Sequence, residues 1–294
     1  MKIHPTAIVS EKAQVASDVE IGPYVIIEDN VKIARRVKIL SGAHILNQTS
    51  IGEDCQIHMG AILGHSPQMR KEITSPGQLI IGQRNIFREY TTIHRSTQKG
   101  AATVIGNDNY FMALSHVAHD CAIGNYVTIC NGTLIAGHVE VGDYAFISGN
   151  ATVHQFCRIG RYAMIGGLTR VAKDVPPYML VKGDSAVWTV NSVGLRRGNF
   201  SAHLRSQIKN AFKILYKSEL NTRQAIKRLQ QESDTEDIKY LIDFILHSKR
   251  GICAYKRPTL WERLRLSSLI IDHRHIPAYR LFQRNRNTQQ PCLK

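Results

Sequence analysis

Four histidines, His116, His119, His138 and His154, crowd one stretch of the chain. Residues spaced eighteen apart there form two series: His119, Gly137 and Gln155 in one, Asp120, His138 and Phe156 in the other. A neutral imidazole beside a glycine whose N–H points outward can act as a general base next to an oxyanion donor, a pairing suited to acyl transfer onto a hydroxyl. Two other readings of these residues stay open. Histidines can decorate a solvated face without chemistry, and imidazoles from His116, His119 and His138 could hold zinc, although their spacing specifies no ligand set and no carboxylate behind it. A covalent nucleophile is disfavoured, because Ser115 and Cys121 flank His119 at small, inward positions of the surrounding repeat. Direct attack by the acceptor is expected.

Columns of this kind need an element that returns to the same edge every eighteen residues. Aliphatic side chains recur every six residues from Ile3 through Leu63, again at Ile81, Phe87 and Ile93, and from Ile105 to Val171. Small or β-branched residues precede most of them by two, as at Ala43, Cys55, Ser115, Cys121 and Cys157. A period of six matches neither the roughly 3.6 residues of a helical turn nor a hairpin meander. It suits a short strand and a tight corner repeated three times per coil, a triangular parallel β-helix with both residue sets turned inward. About nine coils at the inter-strand spacing make a prism on the order of 45 Å long. Gly106, Gly124, Gly142 and Gly160 fall in one column, where a corner tolerating unusual φ is expected.

Two interruptions, His65 to Leu79 and Arg95 to Thr103, keep the register and read as excursions from the prism, the usual place for function. The repeat ends at Val175-Pro176-Pro177. Beyond it Ser201 can cap a helix with Leu204, Ile208, Phe212 and Leu215, Asn221 or Thr222 can start a second, and a third holds Ile238, Leu241 and Ile245. The expected organisation is all-β plus α: a hexapeptide-repeat β-helix over 1–175, a helical domain over 176–252, and a basic extension over 253–294. That extension carries a further amphipathic stretch from Trp261 to Ile270.

The formal charge is +15, and residues 253–294 hold nine Lys or Arg against Glu262 and Asp272. Acidic partners follow, but charge alone does not choose among nucleic acid, anionic lipid, a phosphorylated substrate and an acidic carrier protein. Six cysteines show neither a CxxC pair nor framework spacing, which argues against a zinc ribbon or disulfide scaffold. No run of eighteen apolar residues occurs, and Met1-Lys2-Ile3-His4 opens no export leader, so a soluble cytoplasmic chain is expected.

The strings His116-Val117-Ala118-His119-Asp120-Cys121, Ala136-Gly137-His138, Val153-His154-Gln155-Phe156, Asp174-Val175-Pro176-Pro177-Tyr178 and Gly194-Leu195-Arg196-Arg197 resemble the acyl-carrier-protein-dependent UDP-N-acetylglucosamine O-acyltransferases of lipid A biosynthesis. The resemblance runs from residue 1 to about 252. It implies a left-handed β-helix, a hand that general crossover rules would not favour, with a C-terminal helical domain. It also implies a homotrimer with active sites between subunits, acyl carrier protein and a UDP-sugar as partners, and no cofactor, metal or nucleic acid. By similarity His119 is the base that takes the proton of the glucosamine 3-hydroxyl, the Gly137 N–H stabilises the oxyanion, and Asp120 orients His119. His94, His116, His138, His154, Gln155 and Lys71 would hold substrate, and Arg197 its phosphate. Met164 and Gly167 would border an acyl groove open to a long, 3-hydroxylated chain.

Three positions depart from the family pattern, all on the acceptor side. Met69, in Gln68-Met69-Arg70-Lys71, replaces a carboxylate that holds sugar hydroxyls, Val193 replaces an acidic residue, and Ser185 a histidine. An amino-substituted or less hydroxylated UDP-sugar is therefore a candidate acceptor. Two alternatives remain: transfer from acyl-coenzyme A, and a degenerate paralogue acting as a binding module. The basic tail would contact a membrane surface or another anionic partner.

Overall fold

Each hexad folds as a two-residue strand and a tight corner, and three hexads close one coil. The computed structural model describes residues 2–70, 73 and 77–256. Among these, one sheet rises from Lys2–Ile3 to Met164–Ile165, a second from Ile8–Val9 to Arg170–Val171 and a third from Gln14–Val15 to Arg158–Ile159. Every pairing in these three runs is parallel, as where Ile105 lies beside Ile123 and Ile123 beside Val141. The aliphatic of each hexad points inward, so Ile45, Ile57, Ile129, Ile147 and Ile165 are fully buried, with Ala43, Cys55, Ala145 and Ala163 filling the space between layers. β-Branched residues suit this pleated, one-sided environment, and each buried Ile or Val contributes roughly 1.5–3 kcal/mol.

The corners differ from the expectation for glycine. The residue three after most of the aliphatics takes up the left-handed conformation, and it is mostly not glycine: Asp108 (φ 59°), Tyr126 (57°) and Tyr144 (59°) on one edge, Asp120 (58°), His138 (58°) and Phe156 (63°) on another. Gly106, Gly124, Gly142 and Gly160 have ordinary φ. They are small because coils touch there: a Cβ on Gly106 would lie 2.5 Å from the Gly124 carbonyl oxygen, and one on Gly142 would lie 2.7 Å from the Arg161 nitrogen.

Both excursions leave the prism at the edge between the second and third sheets, one after Ile62–His65 and one after Thr92–His94, and return at Gln78–Ile81 and Ala102–Ile105. Arg95 ties their bases together, donating to the Asn47 carbonyl at 2.8 Å and to Ser66 Oγ at 3.1 Å. The coil above them presents His119 on this same edge.

Past Pro177 the chain stays on the prism. Met179–Lys182 extends the first sheet in parallel, Ala186–Val190 turns back antiparallel to it, and Ala254–Tyr255 pairs with the latter. Four helices lie between: α1 (Ser192–Arg197), α2 (Ala202–Tyr216), α3 (Thr222–Glu232) and α4 (Glu236–Leu246). Ser201 caps α2, and Asn221 forms a reciprocal capping box with Gln224 on α3. Helix α4 is fastened by Arg161, which donates to Asp237 Oδ1 and to the Tyr178 hydroxyl, each at 2.7 Å, and lies over the Tyr240 ring. Cys253 is fully buried and Tyr255 packs edge-on against Phe212. Residues 253–255, placed by sequence in the extension, thus belong to the packed unit. The Trp261 to Ile270 stretch lies outside the described residues, and among those described no helix is long and apolar enough to cross a membrane.

Candidate active site

The edge between the second and third sheets stacks its corners by backbone rungs, His138 N–H to the His119 carbonyl at 3.0 Å and Phe156 N–H to the Gly137 carbonyl at 3.1 Å. These rungs put His119 directly against Gly137. The imidazole occupies the space a side chain on residue 137 would need: a Cβ there would sit 2.6 Å from His119 Cε1 and 2.9 Å from Nε2. Among the described residues neither the Gly137 N–H nor His119 Nε2 has a protein hydrogen-bond partner. His138 stacks on Phe156 with ring centroids 4.6 Å apart and meets His119 edge-on at 5.3 Å. That aromatic contact helps to hold His138 at a φ that costs a bulky residue on the order of 1 kcal/mol.

Asp120 lies behind His119, its Oδ2 2.8 Å from His119 Nδ1 and 3.6 Å from His138 Nε2. The carboxylate is closely held. Ser96 Oγ donates to Oδ1, Thr97 Oγ1 donates to Oδ2 at 2.6 Å, and the Thr97 N–H reaches both oxygens at 3.2 and 3.3 Å. Burial works against the charge, but the hydrogen bonds from Ser96, Thr97 and His119 outweigh it and keep the Asp120 carboxyl below the usual range. An ionised Asp120 can only accept, so Nδ1 of His119 carries the proton and Nε2 is the lone-pair nitrogen.

A line of imidazoles continues down the second sheet. His116 shares a 2.7 Å hydrogen bond with the Thr92 hydroxyl and meets His94 edge-on at 4.9 Å, and His94 faces His65 at 5.8 Å. His94 is 4% exposed, its Nδ1 has no partner among the described residues, and burial together with His116, His65 and His119 pushes its pKa down to about 4. Burial, followed by His119, lowers His116 as well. The zinc set of His116, His119 and His138 is not assembled, because His116 turns to Thr92 and His94. Among the described residues the group that does converge is His119, Asp120 and His138, and there the carboxylate oxygens are already filled by hydroxyl and amide donors. Ser115 and Cys121 are buried, and burial pushes the Cys121 thiol up to about 12, unsuited to a nucleophile.

One chain does not unite all the residues expected at the site. His154 and Gln155 are exposed in the coil above Gly137. Met164 projects from the first sheet and Gly167 sits at the corner between the first and second sheets, a different edge from that of His119. Arg197 is exposed at the end of α1, and Lys71 lies outside the described residues. Of the departing residues, Met69 is half exposed and Val193 is 44% exposed, while the Ser185 hydroxyl is engaged by the Ala172 N–H at 2.8 Å. The carboxylate-holding pair Ser96 and Thr97 escaped sequence reasoning because the excursion beneath displaces them from the eighteen-residue column. Adding the six residues of that excursion to the column spacing would have pointed from Asp120 to Ser96.

Comparison with known proteins places this arrangement. Residues 174–253 match the family described as UDP-N-acetylglucosamine O-acyltransferase, domain 2, and residues 102–137 match the bacterial transferase hexapeptide repeat. The acyl-(acyl-carrier-protein)–UDP-N-acetylglucosamine O-acyltransferase of Thermodesulfovibrio yellowstonii is 46% identical over 255 residues, 86% of this chain and 99% of that protein. The enzyme of the same name from Syntrophobacter fumaroxidans is 43% identical over 86% of this chain and 99% of its own. The solved UDP-N-acetylglucosamine acyltransferase of Bacteroides fragilis superposes with a TM-score of 0.83 at 41% identity, covering 85% of this chain and 99% of that one. That of Campylobacter jejuni gives 0.82 at 36% identity over 87% of this chain and all of its own. The left-handed β-helix and its C-terminal helices are shared throughout these matches. The chain belongs to the UDP-N-acetylglucosamine O-acyltransferase family.

Proposed function

We propose that this acyltransferase moves an acyl group from acyl carrier protein to the glucosamine 3-hydroxyl of a UDP-N-acetylglucosamine-type acceptor, the first step of lipid A biosynthesis, in the cytoplasm. The observation that carries this reading is the seating of His119 between Asp120 and Gly137, with Nε2 open. His119 Nε2 takes the acceptor proton as the oxygen attacks the thioester carbonyl. The resulting oxyanion is stabilised by the Gly137 N–H, and Asp120 offsets the charge of the imidazolium. Collapse breaks the C–S bond, and the proton held by His119 passes to the departing carrier thiolate, so one C–O bond replaces one C–S bond with no net change in protons.

The working unit in this reading is a homotrimer. Met164 and Gly167 lie on a prism edge that His119 does not share, so the acyl chain bound to one copy's groove meets the base of a neighbour. His116, His138, His154, Gln155 and Lys71 hold the acceptor, and Arg197 a phosphate. Met69, which offers no strong acceptor for a sugar hydroxyl, favours a less hydroxylated UDP-sugar, and an amine in place of the attacking hydroxyl would be acylated by the same steps.

The test is a panel of purified reactions: acyl-carrier-protein and acyl-coenzyme A donors of several lengths, each with UDP-N-acetylglucosamine and its 3-amino counterpart. Product from a carrier-bound 3-hydroxyacyl donor supports the reading. Turnover with coenzyme A thioesters alone contradicts the carrier donor, and no turnover with any pair contradicts the enzymatic role.

A further inference from the structure

The hydroxyls of Ser96 and Thr97 have no part in the chemistry as derived so far, yet they supply two of the four donors that Asp120 accepts from. We infer that Ser96 and Thr97 are positioning residues that clamp Asp120 so that it holds His119 in the tautomer with a free Nε2. This rests on the acyl-transfer reading of the site.

The direction of each proton is forced. Ser96 Oγ accepts from the Gln98 N–H at 3.1 Å, and an ionised Asp120 has no proton to give, so the Ser96 hydroxyl hydrogen is directed to Oδ1 rather than to the more distant Gln98 carbonyl at 3.4 Å. Thr97 Oγ1, at 2.6 Å, must likewise donate to Oδ2. With the Thr97 N–H and the His119 Nδ1–H, these donors match the roughly four lone-pair sites of a carboxylate. The Asp120 backbone is fixed separately, its N–H donating to Thr103 Oγ1 at 2.8 Å, in place of the corner rung that coils above use. Ser96 itself cannot drift. It is fully buried, its carbonyl accepts the Gly77 N–H at 2.8 Å and its N–H donates to the Gln78 carbonyl at 3.1 Å.

A carboxylate held at both oxygens cannot rotate about its Cβ–Cγ bond without breaking charge-assisted hydrogen bonds, so Oδ2 stays in line with Nδ1. Removing one donor should loosen that alignment and lower kcat by about tenfold, with KM nearly unchanged, because the interaction lost is one that matters as His119 becomes charged.

The decisive measurement is a double-mutant cycle on the full-length protein. Ser96→Ala and Thr97→Val should each lower kcat about tenfold in the parent protein and less than about twofold in the Asp120→Asn background, since the clamp acts only through the carboxylate. Thr97→Ser, which keeps the donor, should retain most of the rate, and thermal midpoints identify any variant that simply unfolds. Equal losses in both backgrounds, or no loss from Ser96→Ala in the parent, overturn the clamp. If His119→Ala and Asp120→Asn themselves keep full rate, it is the acyl-transfer reading of the site that fails.

Discussion

The ring of His119 rests on Gly137, with Cε1 only 2.6 Å from where a Cβ on residue 137 would be. Glycine at 137 therefore does two things at once. It leaves room for the base one coil below and keeps an unencumbered N–H beside it.

Gly137→Ala should displace the imidazole from its line with Asp120. A shift approaching 1 Å in a reacting group costs on the order of 100-fold in rate. Steady-state kinetics should show that loss mainly in kcat, with a folded protein by circular dichroism. A Gly137→Ala enzyme within twofold of the parent would mean that the ring has another seat.

Acid should weaken the fold through His94. Its folded pKa of about 4 lies below the unfolded value, so the unfolded chain binds a proton first as pH drops. The stability held above the unfolded pKa is lost as pH falls from about 6.5 toward 4, roughly 2 kcal/mol of it by pH 5. Chemical denaturation at pH 7 and pH 5 should reveal a smaller difference for His94→Gln than for the parent. Identical pH sensitivity in the two proteins would assign the loss to other groups.

Met69→Asp restores a group able to accept two sugar hydroxyl hydrogen bonds. A buried hydroxyl left unpaired costs about 1–3 kcal/mol, so the substitution should lower KM for UDP-N-acetylglucosamine by roughly tenfold while leaving KM for a less hydroxylated acceptor nearly unchanged. Unchanged KM values for both acceptors would remove residue 69 from the sugar subsite.

Two truncations separate the contribution of residues 252–256 from that of the basic residues that follow in sequence. Ending the chain after Gly251 deletes Cys253 and Tyr255, and with them the strand Ala254–Tyr255 that pairs with Ala186–Val190, so the thermal midpoint should fall by several degrees. Ending it after Lys256 should leave both the midpoint and turnover in place while weakening binding to anionic vesicles at low salt. Loss of activity on the second truncation would place residues 257–294 in the site itself.

The prism was legible because its signal is strictly periodic: one aliphatic every six residues leaves a single inward face, and stacking then predicted the His119–Gly137 and His138–Phe156 columns. What stayed hidden depends on breaks in that period. Ser96 and Thr97 reach Asp120 only because the second excursion adds residues to the coil below, and no rule of fixed spacing survives an insertion. The corner conformations depart from expectation for a related reason: glycine in a sequence signals positive φ, whereas Gly106 and Gly142 answer to coil-to-coil contact and Asp, His, Phe and Tyr tolerate the turn. The strands at 179–182, 186–190 and 254–255, and the short helix α1, are too brief for periodicity to register. The strands form because the first sheet offers an edge, and α1 starts where the Asn191 side chain accepts from the Gly194 N–H.

The most direct test of the account is turnover of a carrier-bound 3-hydroxyacyl donor by His119→Ala beside the parent protein. The parent should transfer the acyl group to a UDP-amino sugar, and His119→Ala should do so at least about 100-fold more slowly while remaining folded, because the His119 ring lies at a corner outside the aliphatic stack. Equal rates for the two proteins would contradict a base at His119 and, with it, the mechanism built on Asp120 and Gly137.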